Sequence, residues 1–62
     1  MSVERLKAQK EIEFLKADQQ RLTELKAFLS VNTNPGNRRR VEEITEELKR
    51  IEQRLSVLEA VA

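Results

Sequence analysis

The sequence predicts an all-α chain, an antiparallel two-helix hairpin of coiled-coil type that self-associates into a four-helix or larger bundle. Three observations carry this expectation. Apolar residues run at unbroken heptad spacing from Val41 to Ala62, the pattern of a helix packed against another helix. One turn-forming stretch, Asn34-Pro35-Gly36-Asn37, holds the chain's single proline and single glycine. The 62 residues are 37% charged and 3% aromatic, a composition that suits long solvated helices better than strands.

The first helix is expected over about residues 2–30 of a single domain. Ala8, Ile12, Leu15, Leu22 and Leu29 mark its seam, with Gln19 and Lys26 at the intervening places. At about 100° per residue, Val3, Phe14, Leu25 and Phe28 fall beside that seam. The apolar arc is then wider than one partner helix covers. Phe14 and Phe28 lie two heptads apart and share a face.

A loop is expected over about residues 31–37. Pro presets φ, Gly tolerates positive φ, and Asn suits both turns and helix caps. Two cap assignments are open. Asn34 caps the second helix with Pro35 at its first position, or the turn finishes first and Asn37 is the cap. The second helix is placed over about residues 38–61, with Val41, Ile44, Leu48, Ile51, Leu55, Leu58 and Ala62 as its seam.

In an antiparallel hairpin the numbers of facing residues have a constant sum. Setting Leu29 against Val41 fixes that sum at 70, and it brings Leu22 to Leu48, Leu15 to Leu55, Ile12 to Leu58 and Ala8 to Ala62. Gln19 faces Ile51, a single polar intrusion of the kind that fixes register at some cost in stability. The same register leaves residues 1–7 overhanging. Val3, Leu6, Phe14, Leu25 and Phe28 remain without partners in their own chain and are the expected oligomer interface, since a lone hairpin would expose them as a contiguous strip.

Small chains need a staple beyond their core. This one has no cysteine and no histidine, which removes disulfides and the commonest zinc ligands. Association is the staple left, so a homo-oligomer is expected. The same absences, with no glycine-rich phosphate loop, argue against an enzyme, a metal site or a cofactor. Glu42, Glu43, Glu46 and Glu47 read as a solvated face. Ser2, Ser30, Ser56, Thr23, Thr33 and Thr45 have no evident base partner. No apolar run is long enough to cross a bilayer and none resembles a signal peptide, so a cytoplasmic location without a membrane partner is expected.

Net charge is +1, unevenly spread. Residues 1–31 carry a net +1, residues 32–40 a net +3, and residues 41–62 a net −3. The concentration in the loop is Arg38, Arg39 and Arg40. Placed at a helix start they oppose the helix dipole, and two explanations stand open. They pair along the helix with Glu42 and Glu43, for about 0.2–0.5 kcal/mol per pair. Alternatively they form an anion site with Asn34, Gly36 and Asn37, where Gly36 permits close approach and guanidinium forks hold phosphate or carboxylate.

In architecture, paired hairpins of this kind are similar to the small RNA-binding Rop-type dimers. The likeness lies in architecture alone, and no motif or residue is carried over from it. The functional expectation is a non-enzymatic, oligomeric interaction or regulatory protein that binds a partner macromolecule. The alternatives are a module binding phosphates of nucleic acid or a nucleotide through the arginine loop, and a coiled-coil assembly subunit whose partner completes the helix-one face.

Overall fold

A computed structural model describes residues 2–32 and 34–62; Met1 and Thr33, the latter among the serines and threonines considered above, lie outside the described residues. Two helices, α1 (Val3–Ser30) and α2 (Pro35–Val61), pack against one another as a hairpin. The molecule is a rod of 50 × 15 × 11 Å.

Each helix opens on a side-chain cap. The Ser2 hydroxyl accepts a hydrogen bond from the Arg5 N–H at 3.2 Å, and Glu4 adds negative charge to the first turn. Both features answer the unpaired N–H groups and partial positive charge of a helix start. At the end of α1, Val31 and Asn32 N–H groups donate to the carbonyls of Phe28 and Leu29, tightening the last turn. Pro35 is the first residue of α2, and Asn34 Oδ1 accepts from the Asn37 N–H at 2.8 Å. Asn37 Nδ2 reaches back to the Asn32 carbonyl at 3.2 Å and ties the connection together.

Of the two cap assignments, the chain adopts the one at Asn34. The second helix therefore starts at Pro35, three residues before the expected Arg38. Proline's fixed φ and missing N–H cost nothing at that position, so the helix extends back to it. No described residue has positive φ, and Gly36 is helical. The expected use of its conformational freedom in the turn is not made.

The core is a single layer between the helices. Leu22, Ile44, Ile51 and Leu55 form its buried cluster, and Ile12, Leu15, Leu25, Leu29 and Leu48 pack against it half-buried. Ala8 and Leu58 are also buried, and Val41 is half-buried. Gln19, the expected polar intrusion, and Lys26, at the other intervening place, are half-buried as well. Among the described residues no side chain is completely enclosed, as a core one layer deep dictates.

Two expectations are corrected. Leu25, assigned to the outer interface, packs against the core instead. It follows Leu22 by three residues and precedes Leu29 by four, so a 3.6-residue repeat carries it onto the inner face beside them. Ala62, placed in the seam opposite Ala8, is exposed. It is the C-cap, whose N–H donates to the Leu58 carbonyl at 3.0 Å, and the helix ends before a methyl there is covered.

Ion pairs flank the seam. Arg54 Nε donates to Glu11 Oε2 at 2.7 Å and Arg54 Nη2 to Oε1 at 3.3 Å, a two-pronged contact between α2 and α1. Lys16 Nζ stands 3.9 Å from Glu59 Oε1. The numbers of these two pairs sum to 65 and 75, one on each side of the seam's 70, as flanking contacts of that register should. The hydrogen bond from Arg54 holds the Glu11 carboxyl below its usual range, and Glu11 in turn raises the Arg54 guanidinium. A lowered carboxyl pKa gives stability that is present above the unfolded value and lost as pH falls through the folded one. Thus Glu11→Gln should flatten part of the stability loss between the ordinary glutamate range and lower pH. The effect is small because both groups are exposed and screened. Thermal melts of both proteins across that range check it, and identical acid limbs would show that the pair adds nothing.

Candidate interaction surface

The faces of α1 carry opposite chemistry. One holds Ala8, Leu15, Leu22 and Leu29, turned to α2 and buried or half-buried. The other carries apolar side chains into solvent: Val3 is 66% exposed, Leu6 43%, Phe14 71% and Phe28 74%. At about 100° per residue this outer strip is centred near Ala17, roughly opposite the inner face. A shallow hollow lies there, bordered by Phe14, Ala17, Asp18 and Arg21. Asp18 and Arg21 are joined across it by an ion pair at 2.7 Å.

Of the five residues assigned to this surface, Val3, Leu6, Phe14 and Phe28 are exposed, while Leu25 belongs to the core. Val31, just past the end of α1, is 86% exposed and lies outside the five residues expected there. Its signal was present in the sequence. Val3, Ala17 and Val31 stand two heptads apart, as do Phe14 and Phe28. Charged residues between them (Lys10 and Glu24, Lys7 and Arg21) broke the apolar reading of that series. On α2, Val57 and Val61 are also exposed. They share a face four residues apart but lie outside the strict a/d seam.

The arginines behave differently from the strip. With α2 starting at Pro35, Arg38, Arg39 and Arg40 occupy the fourth to sixth helical positions instead of the first turn. Consecutive helical residues diverge by about 100° each, and the three border different parts of the surface. Arg38 lies with Leu29, Ser30, Asn32, Val41 and Glu42. Arg39 lies with Glu42, Glu43 and Glu46, and Arg40 with Arg21, Glu43 and Glu47. All three are exposed, and among the described residues none forms an ion pair with a carboxylate.

The backbone donors expected to complete an anion site are mostly engaged. Pro35 has no N–H, Asn37 donates to the Asn34 side chain, and Arg38 donates to the Asn34 carbonyl at 3.0 Å. Among the described residues the Gly36 N–H makes no hydrogen bond. Asn34 and Asn37 thus serve the helix start itself. Elsewhere, the hydroxyls of Thr23, Ser30 and Thr45 each donate to the carbonyl four residues earlier at 2.8 Å. Among the described residues no three acidic side chains gather as a metal site would require. No described helix is long and apolar enough to cross a membrane.

Comparison of the chain with protein-family models, with curated proteins and with solved structures gives no match.

Proposed function

We propose that this chain works without catalysis, as a self-associating helical hairpin that presents a binding surface to a partner macromolecule. The observation that supports this is the outer strip of α1, where Phe14 and Phe28 are 71% and 74% exposed on the face turned away from α2. Large apolar side chains exposed along one face among polar groups mark interaction sites. The one-layer core adds a thermodynamic reason, because a hairpin this small gains the rest of its stability by covering a second face. Binding of folded chains to each other makes the melting temperature rise with protein concentration. Melts over a hundredfold concentration range test the proposal, and a midpoint that stays constant over that range would refute it.

A second reading is supported by the arginines. Three exposed guanidiniums without carboxylate partners among the described residues suit a phosphate-bearing or acidic ligand, approached along the start of α2 and not cradled by its first turn. Replacing Arg38, Arg39 and Arg40 together by Gln should change stability by no more than about 0.5 kcal/mol, because no ion pair is lost. It should abolish the salt-sensitive binding of an anionic partner. A marked fall in melting temperature, with partner binding intact, would assign the arginines to structure.

A further inference from the structure

We infer that the outer face of α1 docks against the same face of a second copy, antiparallel, with a two-fold axis passing beside Ala17. This rests on the self-association proposed above and gives it an orientation and a register.

The argument is one of charge and shape. When Ala17 faces its own copy, facing positions sum to 34. Lys10 then meets Glu24 and Glu13 meets Arg21, each pair occurring twice. In the same register Val3 meets Val31, and Leu6 meets Phe28. Across residues 2–32 this pairing sets no charge opposite one of like sign. The competing registers fail. Parallel association places every residue opposite itself, so Lys7, Lys10, Arg21 and Glu24 each meet a like charge. An antiparallel sum of 31 puts Lys10 on Arg21 and Glu13 on Asp18, and a sum of 38 puts Glu24 on Phe14 and Arg21 on Ala17. Like charges and desolvated charges are the usual means by which wrong registers are rejected.

Geometry agrees. Ala17 sits near the middle of α1 (Val3–Ser30), so the two helices overlap along their whole length. The hollow bordered by Phe14, Ala17, Asp18 and Arg21 marks a small side chain between larger ones, where two helix backbones can approach to about 8 Å. Phe14 of the copy lies opposite Gln20, on the flank of that hollow. Because this face is turned away from α2, docking leaves the hairpin core untouched. The four helices then form a row with α2 outermost at each side. The arginine clusters of the two copies go to opposite ends, about 40 Å apart for a 28-residue helix. An anionic partner would thus meet two separate clusters and not one combined patch.

Charge reversal and cross-linking test the register, with sedimentation equilibrium reporting mass alongside. Lys10→Glu and Glu24→Lys should each weaken dimerisation about tenfold at low salt, and the two reversals combined in one chain should restore it. The chain has no cysteine, so introduced thiols report cleanly. Ala17→Cys should give a disulfide-linked dimer under mild oxidation, since facing Cα atoms of close-packed helices come within disulfide range, about 4–7 Å. Val3→Cys and Val31→Cys should cross-link when mixed and not singly. A dimer in which Val3→Cys links to itself, or in which the double reversal is no tighter than either single one, overturns the register while self-association stands. A monomer mass at every concentration overturns both.

Discussion

Leu55→Asp is expected to unfold the hairpin. Leu55 is 7% exposed within the cluster of Leu22, Ile44 and Ile51, with no polar group buried beside it among the described residues. An aspartate there loses its hydration without gaining a partner, at a cost of several kcal/mol, and the leucine's own burial is lost as well. Chains of this size hold only about 3–9 kcal/mol of stability in total. Far-UV circular dichroism should show the helices gone at room temperature. Leu48→Asp, at a half-buried site on the edge of the same cluster, should cost less and leave a lowered melt. A Leu55→Asp protein that stays helical with an unchanged midpoint would mean that this seam does not hold the fold.

The second large effect is expected where the hairpin alone offers no reason for it. Phe14→Glu and Phe28→Glu replace side chains that are mostly in water, and glutamate has the better helix propensity. A lone hairpin should therefore tolerate both. If the strip is covered by a second copy, each substitution removes two aromatic contacts per dimer and places charge in the interface. The dissociation constant should rise about a hundredfold or more, and the melting midpoint should lose its dependence on concentration. Equal association by wild type and Phe14→Glu would move the contact surface elsewhere, with the exposed Val57 and Val61 of α2 the next apolar group.

Much of this architecture was legible in the residues. The a/d series of α2 needs no tertiary information, because every third or fourth residue from Val41 to Leu58 is apolar and all of them are buried or half-buried. The register was readable in outline: a sum of 70 sets Leu15 on Leu55, Leu22 on Leu48 and Leu29 on Val41, and the two ion pairs between the helices sum to either side of it. Placement of the wider α1 face was not. A heptad frame places Leu25 outside the seam, whereas the 3.6-residue repeat carries it to the edge of the core. The start of α2 was underdetermined because Asn34 and Asn37 are both competent caps, and the choice depends on which N–H the Asn34 side chain reaches. That choice moved the arginines out of the first turn and spread them over three parts of the surface. The Glu11–Arg54 and Lys16–Glu59 pairs went unforeseen because they flank the seam, where many charged residues compete and only the folded geometry selects among them.

Sedimentation equilibrium of the unmodified chain, from low micromolar concentration upward, tests the central claim most directly. The account predicts a concentration-dependent mass that rises to twice the 7.3 kDa of the single chain, and a Phe14→Glu variant that stays at the single-chain mass over the same range. A helical, cooperatively melting species of single-chain mass at every concentration would contradict it.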